Sequence, residues 1–237
     1  MPEVVKNLMI INGLLFFLSA VLGDKFFVDL SKWLALYQPG SGSFMPHQLV
    51  THVFMHGSLS HIFFNMFALW MFGSALENVW GAKRFLVYYM LTGIGAGLFH
   101  LGVTQLQISW AEAELTAQQI ATVLEQGKGA LAIGKNFTDP DMAKYNYLLN
   151  IPTVGASGAV FGLLLGFGML FPNQRIYLYF AIPIKAKYFV IGYGLLELIT
   201  GLSNRPGDNV AHFAHLGGMV IGFLIIKYWQ RNSGHFY

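Results

Sequence analysis

No cysteine occurs among the 237 residues of this chain. Disulfides, thiolate metal sites and a cysteine nucleophile are all excluded by that absence. Charge is scarce too: Asp, Glu, Lys and Arg make up 11% of the residues, against roughly 25% in an average soluble domain. The net charge of +3 gives no reason to expect a nucleic-acid partner. The first apolar run lacks a basic leader and an A-x-A-like site, since Leu22-Gly23-Asp24 follows it. It is therefore not read as a cleavable signal peptide. What is abundant is apolar sequence. At 55% hydrophobic, with apolar runs recurring along its length, the chain reads as a polytopic membrane protein and an all-α fold.

Six spans are expected, over 8–22, 61–76, 85–103, 154–171, 188–202 and 210–229, in one membrane domain covering the whole chain. An even number puts both termini on one side. If that side is inside, Lys6, Lys83, Arg84, Arg175, Lys185, Lys187, Lys227 and Arg231 lie in inside segments. The outside segments carry Lys25, Lys32, Lys128, Lys135, Lys144 and Arg205 in far longer loops. Short loops and span flanks set orientation, which favours N-in and C-in. Trp80, Tyr88, Tyr89 and Trp229 are read as interfacial aromatics of this layout. The long connection, 104–152, falls outside. In it Ser109-Trp110-Ala111-Glu112 reads as a capping box that opens a short helix. Ala117, Ile120, Ala121 and Leu124 then form an apolar stripe, expected on the membrane surface or on the spans.

The second, fourth and sixth spans run inward, and each carries its odd polar residues near its outer end. His56 precedes the second span, and His61 and Asn65 share a face in its first turns. Ser157, within Gly155-Ala156-Ser157-Gly158, begins the fourth; His212 and His215 begin the sixth. Span placement and polar placement come from different residues, yet they put these groups at one depth. Polar groups in a spanning helix usually have partners or a function. Gly158, Gly162 and Gly166 recur every four residues, as do Ala214, Gly218 and Gly222, a spacing that lets membrane helices approach closely. If those faces meet, Ser157 and His215 are level. A neutral histidine beside a serine is what a serine nucleophile needs. Paired donors at His61 and Asn65, with the Ser157 amide at a helix start, suit an oxyanion. Gly155 and Gly158 leave room for another backbone or a substrate.

Each feature also has a plainer reading. A lone G-x-S-G among 27 glycines is more often a packing face, and Ala159 departs from the G-x-S-x-G elbow. His52, His56 and His100 can simply cap loops, and His212 can support His215 or sit at the interface. Glu197, inside the fifth span, needs a hydrogen-bond partner or a proton, and the sequence names no partner for it. The pairs His52/His56 and His212/His215 have spacings that could bind zinc. A metal site is the serious chemical rival, yet His61-Ile62-Phe63-Phe64-Asn65 lacks the Glu and second His of a zincin and no cysteine is available, so no metal site is expected. A transporter with a histidine-lined path is disfavoured because no polar trail reaches the opposite face.

Three segments resemble the rhomboid family of intramembrane serine proteases: 56–65 (His56-Gly57-Ser58-Leu59-Ser60-His61-Ile62-Phe63-Phe64-Asn65), Gly155-Ala156-Ser157-Gly158, and Ala214-His215-Leu216-Gly217-Gly218. They fall in family order on the second, fourth and sixth spans. The resemblance implies a six-transmembrane-helix bundle with Ser157 as nucleophile and His215 as general base. It implies an oxyanion hole of His61, Asn65 and the Ser157 amide, a loop braced by His56, and a bulky residue, Phe64, at the substrate gate. Phe161 stands where the family's prokaryotic type member has a tyrosine under the histidine. The expected activity is cleavage of single-span membrane proteins near the outer face of the lipid bilayer. No cofactor is implied. A bacterial plasma membrane is the expected setting, and a catalytically silent rhomboid-like chaperone or binding protein is the alternative.

Overall fold

The computed structural model describes residues 1–26, 28–178, 181–203 and 210–233. Its helices are α1 (Glu3–Phe26), α2 (Leu59–Ala68), α3 (Ser74–Ala113), α4 (Ala117–Ala132), α5 (Pro140–Asn150), α6 (Ser157–Leu170), α7 (Ala186–Ser203) and α8 (His212–Ser233). Short helical turns, Ser31–Leu34, Pro39–Ser41, Gln48–Thr51 and His52–Phe54, occupy the segment between α1 and α2. The six apolar segments expected from the sequence overlap helices α1, α2, α3, α6, α7 and α8, with 154–156, 171 and 210–211 outside any helix. Two helical stretches, Glu3–Gly23 and Leu59–Ala113, are long and apolar enough to cross a bilayer. Helix α6 is apolar but only 14 residues long.

The fold is mostly helical rather than wholly so. Strands β1 (Arg175–Leu178) and β2 (Ile182–Lys185) pair antiparallel, with Arg175 opposite Lys185. Ile176, Tyr177, Ile182 and Ile184 supply the β-branched and aromatic side chains that favour a pleated ribbon over a helix. Helix α2 begins at Ser58, whose side chain accepts from the His61 N–H at 3.2 Å, an N-cap of the usual kind. A π turn over Leu69–Gly73 joins α2 to α3. Within α3 the backbone leaves helical geometry at Gly81 (φ 77°, ψ 162°), a conformation that glycine adopts without Cβ strain.

The centre of the bundle is a three-helix seam of α3, α6 and α8. Glycines of α6 meet α3 in antiparallel register: a Cβ on Gly158 would strike Ala96, one on Gly162 would strike Thr92, and one on Gly166 would touch Trp80 and Tyr88. Tyr88 seals the seam by donating from its hydroxyl to the Gly162 carbonyl at 2.7 Å. Trp80, Tyr88 and Tyr89 are buried, and Trp80 and Tyr88 pack against Trp229. These aromatics fill the core at one end of the bundle instead of belting its surface, because the small residues of α6 leave volume that only large rings fill. The outer surface carries an apolar belt, including Leu14 and Phe17 on α1, Leu195 and Ile199 on α7, and Phe223 and Leu224 on α8. An apolar surface of that extent suits lipid.

The 104–152 connection folds differently from the expectation. Helix α3 continues through Ser109–Glu112 to Ala113, so those residues open no helix. The capping box is Thr116 with Gln119: the Thr116 side chain accepts from the Gln119 N–H, and the Gln119 side chain accepts from the Thr116 N–H at 2.9 Å. Burial on α4 falls on Val123 and Gly127, with Ile120 half-buried, while Ala117, Ala121 and Leu124 are exposed. Ile108, Ala111, Val123, Tyr145 and Leu149 form a second small core, where the extended end of α3 meets α4 and α5. Buried Asn146 ties this cap together, donating to the Gly127 carbonyl at 3.1 Å and accepting from Asn150 at 2.8 Å.

Candidate active site

Helices α6 and α8 meet backbone to backbone. A Cβ on Gly218 would overlap the Gly158 carbonyl, and one on Gly158 would lie 3.4 Å from the Ala214 carbonyl oxygen. The two small-residue faces do meet, and the residues beside this contact are Ser157 and His215. Ser157 is half-buried at the first position of α6. Its N–H belongs to the first turn, which has no carbonyl one turn back to bond to. His215 is buried in the first turn of α8. Its imidazole stacks on the Phe161 ring, with centroids 4.1 Å apart and planes within 6°. The phenyl ring thus gives the imidazole a flat floor, and Tyr193 of α7 packs behind it at 5.0 Å. No hydrogen bond joins Ser157 to His215 among the described residues.

The loop before Ser157 is held at two points. Leu36 and Thr153 exchange backbone hydrogen bonds of 2.9 and 2.8 Å, and the Gly155 N–H donates to the His52 carbonyl at 2.9 Å. Gly155 has φ 126°, and its missing side chain admits His61. A Cβ there would lie 2.7 Å from His61 Cε1, 2.8 Å from His61 Nε2 and 3.6 Å from Ser157 Oγ. The imidazole tip of His61 is therefore next to Ser157. His56 is buried and packs edge-on against the His61 ring at 5.0 Å. Burial pushes His56 down to about 4, with His61 adding to the effect. Asn65 is buried one turn further along α2, and its side-chain N–H₂ donates to the His61 carbonyl at 3.0 Å. One amide hydrogen is then left for another acceptor. Phe64 lies on the outward face of α2, 67% exposed, edge to face with Phe63.

Glu197 was the residue without a partner in the sequence, and here it has two. Its Oε2 lies 2.6 Å from His212 Nδ1 and 2.8 Å from His215 Nδ1. The three side chains offer a metal-ligand set in composition. The separations are those of hydrogen bonds, whereas two ligands on a tetrahedral zinc at about 2.0–2.1 Å sit about 3.3 Å apart. His52 bonds through Nδ1 to the Gln48 carbonyl at 2.8 Å and makes no pair with His56. His100 caps no loop: it lies within α3.

A family model described as Rhomboid domain matches residues 43–231. The chain belongs to the rhomboid family. It therefore has a multi-pass membrane fold. This rhomboid is 29% identical over 232 residues to "RHOMBOID-like protein 12, mitochondrial" of Arabidopsis thaliana, covering 97% of this chain and 58% of the relative. It is 29% identical over 177 residues to "Rhomboid protein 1, mitochondrial" of Saccharomyces cerevisiae, covering 74% and 40%. To "Rhomboid protease GlpG" of Yersinia pestis it is 23% identical over 227 residues, covering 96% and 63%. The chain thus spans less than two thirds of each of these relatives. The expected setting, a bacterial plasma membrane, is corrected by the first two: both relatives at 29% identity are mitochondrial. The physical reason is plain. Charge bias orients a chain relative to a bilayer, and neither it nor compactness encodes which membrane the bilayer belongs to.

Sequence reasoning missed the arrangement around Glu197. The one available signal was an acid in an otherwise apolar span. Its partners lie 15 and 18 residues away on another helix, beyond any local spacing rule.

Proposed function

We propose that this rhomboid is an intramembrane serine endopeptidase that works through Ser157 and His215. The observation that best supports the reading is the α6–α8 backbone contact at Gly158, Ala214 and Gly218, which brings the flanking serine and histidine to one level. The Ser157 hydroxyl proton passes to His215 as Oγ bonds to the scissile carbonyl carbon. The displaced electron pair rests on the carbonyl oxygen, where the Ser157 N–H, His61 and Asn65 donate to it. As the tetrahedral species collapses, the proton moves from His215 to the departing amine. Water then repeats the sequence and releases the acyl chain from Ser157.

Helix length bears on where the cut falls. Fourteen residues span about 21 Å, short of a hydrocarbon core of about 30 Å. A helix of that length, anchored at the far interface, starts below the opposite one, so Ser157 lies inside the lipid. A substrate helix must unwind there before its carbonyl can be attacked, since its backbone is otherwise fully hydrogen-bonded. Single-span membrane proteins with helix-weakening residues near that face are the proposed substrates, passing Phe64. The proposed architecture is six crossings in one membrane domain, with α4 and α5 as a cap on the Ser157 side. Among settings, a mitochondrial membrane has the support of the two relatives at 29% identity.

One observation favours a second reading. Ser157 makes no hydrogen bond to His215 among the described residues, as in a protein that binds membrane helices without cutting them. Apo geometry alone does not rule out catalysis, because such bonds often tighten only with substrate. The deciding experiment reconstitutes wild type and Ser157→Ala with a tagged single-span substrate. Fragments from wild type alone support the protease. Stable capture of the substrate with no fragments from either, and no fluorophosphonate on Ser157, supports the binding protein.

A further inference from the structure

A carboxylate accepts hydrogen bonds and donates none. With Glu197 Oε2 within hydrogen-bond distance of both Nδ1 atoms, an ionised Glu197 requires both imidazoles to carry a hydrogen on Nδ1. Thr200 gives independent support for His212. The Thr200 hydroxyl donates to the Leu196 carbonyl at 2.7 Å, so toward His212 Nδ1, at 3.1 Å, it can only accept. His212 thereby pins the same carboxylate oxygen that His215 uses. Glu197 is itself buried, and a buried carboxylate in lipid is costly unless it is fully partnered. A packing role needs no acid at this point.

We propose that Glu197 is a positioning residue: it holds His215 as the Nδ1–H tautomer, leaving Nε2 bare to receive the Ser157 proton, so the site is a serine–histidine–glutamate triad. This rests on the protease reading above. Glu197 takes no proton in the reaction; it orients the ring and offsets the charge that His215 gains when the serine proton arrives. Phe161 fixes the plane of the imidazole and Glu197 fixes its rotation within that plane. One restraint on the ring's face and another at its Nδ1 edge leave it a single orientation. His212, with Thr200, keeps the carboxylate in place.

The test measures fluorophosphonate labelling of Ser157 in detergent micelles for wild type, Glu197→Gln, Glu197→Asp and Ser157→Ala, separating kinact from KI. In Glu197→Gln, kinact is expected to fall about a hundredfold or more with KI unchanged, because an amide can donate to Nδ1 and favour the wrong tautomer. Glu197→Asp keeps the charge one methylene short and is expected to recover part of the rate, which a residue needed only for packing would not do. Wild-type kinact in Glu197→Gln overturns the triad and leaves the Ser157–His215 reading standing. No Ser157 labelling in wild type overturns both. If Glu197→Gln fails to fold, the ring nitrogens decide by ¹⁵N NMR of the wild type. A protonated His215 Nδ1 supports the triad and a bare one overturns it, as does loss of labelling on chelator treatment.

Discussion

Two buried glutamates hold opposite ends of this bundle. Glu77 meets the backbone of α1: its two carboxylate oxygens accept from the Val4 and Val5 N–H groups at 2.9 and 2.8 Å. Those amides lie in the first turn of a helix, where no carbonyl is available one turn back, and the helix dipole favours a negative charge there. Glu197 meets side chains instead, two imidazoles that can each change protonation or tautomer. The first carboxylate satisfies groups that are fixed; the second meets groups whose protonation and tautomer can change. Residue type and burial are the same at both ends, and only the chemistry of the partners differs.

The largest effect is expected where the two ends are joined. Gly218→Ala puts a methyl group onto the Gly158 carbonyl, and backbone on both sides cannot yield. Overpacking should cost about 3 kcal/mol or more, and Ser157 labelling should vanish with it. Thermal unfolding and labelling would both read this, and a variant of normal stability and activity would contradict the seam. Breaking the reactive end alone comes next. Asn65→Ala should lower turnover roughly a hundredfold, the usual cost of one oxyanion donor at about 3 kcal/mol, with the unfolding midpoint little changed. Equal turnover in Asn65→Ala and wild type would remove Asn65 from the oxyanion hole.

Breaking the other end should invert that pattern. Glu77→Gln leaves one α1 amide facing an N–H₂ group, at about 1–3 kcal/mol for an unpaired buried donor. Stability measured by unfolding in detergent should drop, while labelling per folded molecule holds. A selective loss of labelling would erase the contrast between the two acids. The smallest effect sharpens the boundary of the reactive end. Burial lowers His56 from 6.5 to about 4, so between those values the unfolded chain binds a proton that the folded one excludes. Stability should therefore be intact above about pH 6.5 and fall as pH drops toward about 4. His56→Phe should flatten that slope in pH-dependent melting; an unchanged slope would locate the titration elsewhere.

Much of the site was legible in the chain because membrane helices restrict the alternatives. The four-residue spacing of Gly158, Gly162 and Gly166 against Ala214, Gly218 and Gly222 announced a close seam, and its contacts are present. The stack of Phe161 under His215 likewise followed from the resemblance. The cap was less legible. Ser109–Glu112 has the local pattern of a capping box, but α3 continues through it, since packing against α4 and α5 rewards the longer helix more than a local cap does. Trp80, Tyr88 and Tyr89 look interfacial by type and are core by packing.

By itself the sequence determined the class and the family, because apolar periodicity, small-residue spacing and three short motifs are local properties of the chain. Only the tertiary structure decided which acid serves which end. Glu77 and Glu197 are alike in one dimension, and their partners, α1 amides more than seventy residues away and imidazoles on α8, are assigned by helix packing. A hydrogen bond acts over about 3 Å of space whatever the sequence separation, so that assignment had no local signature to read.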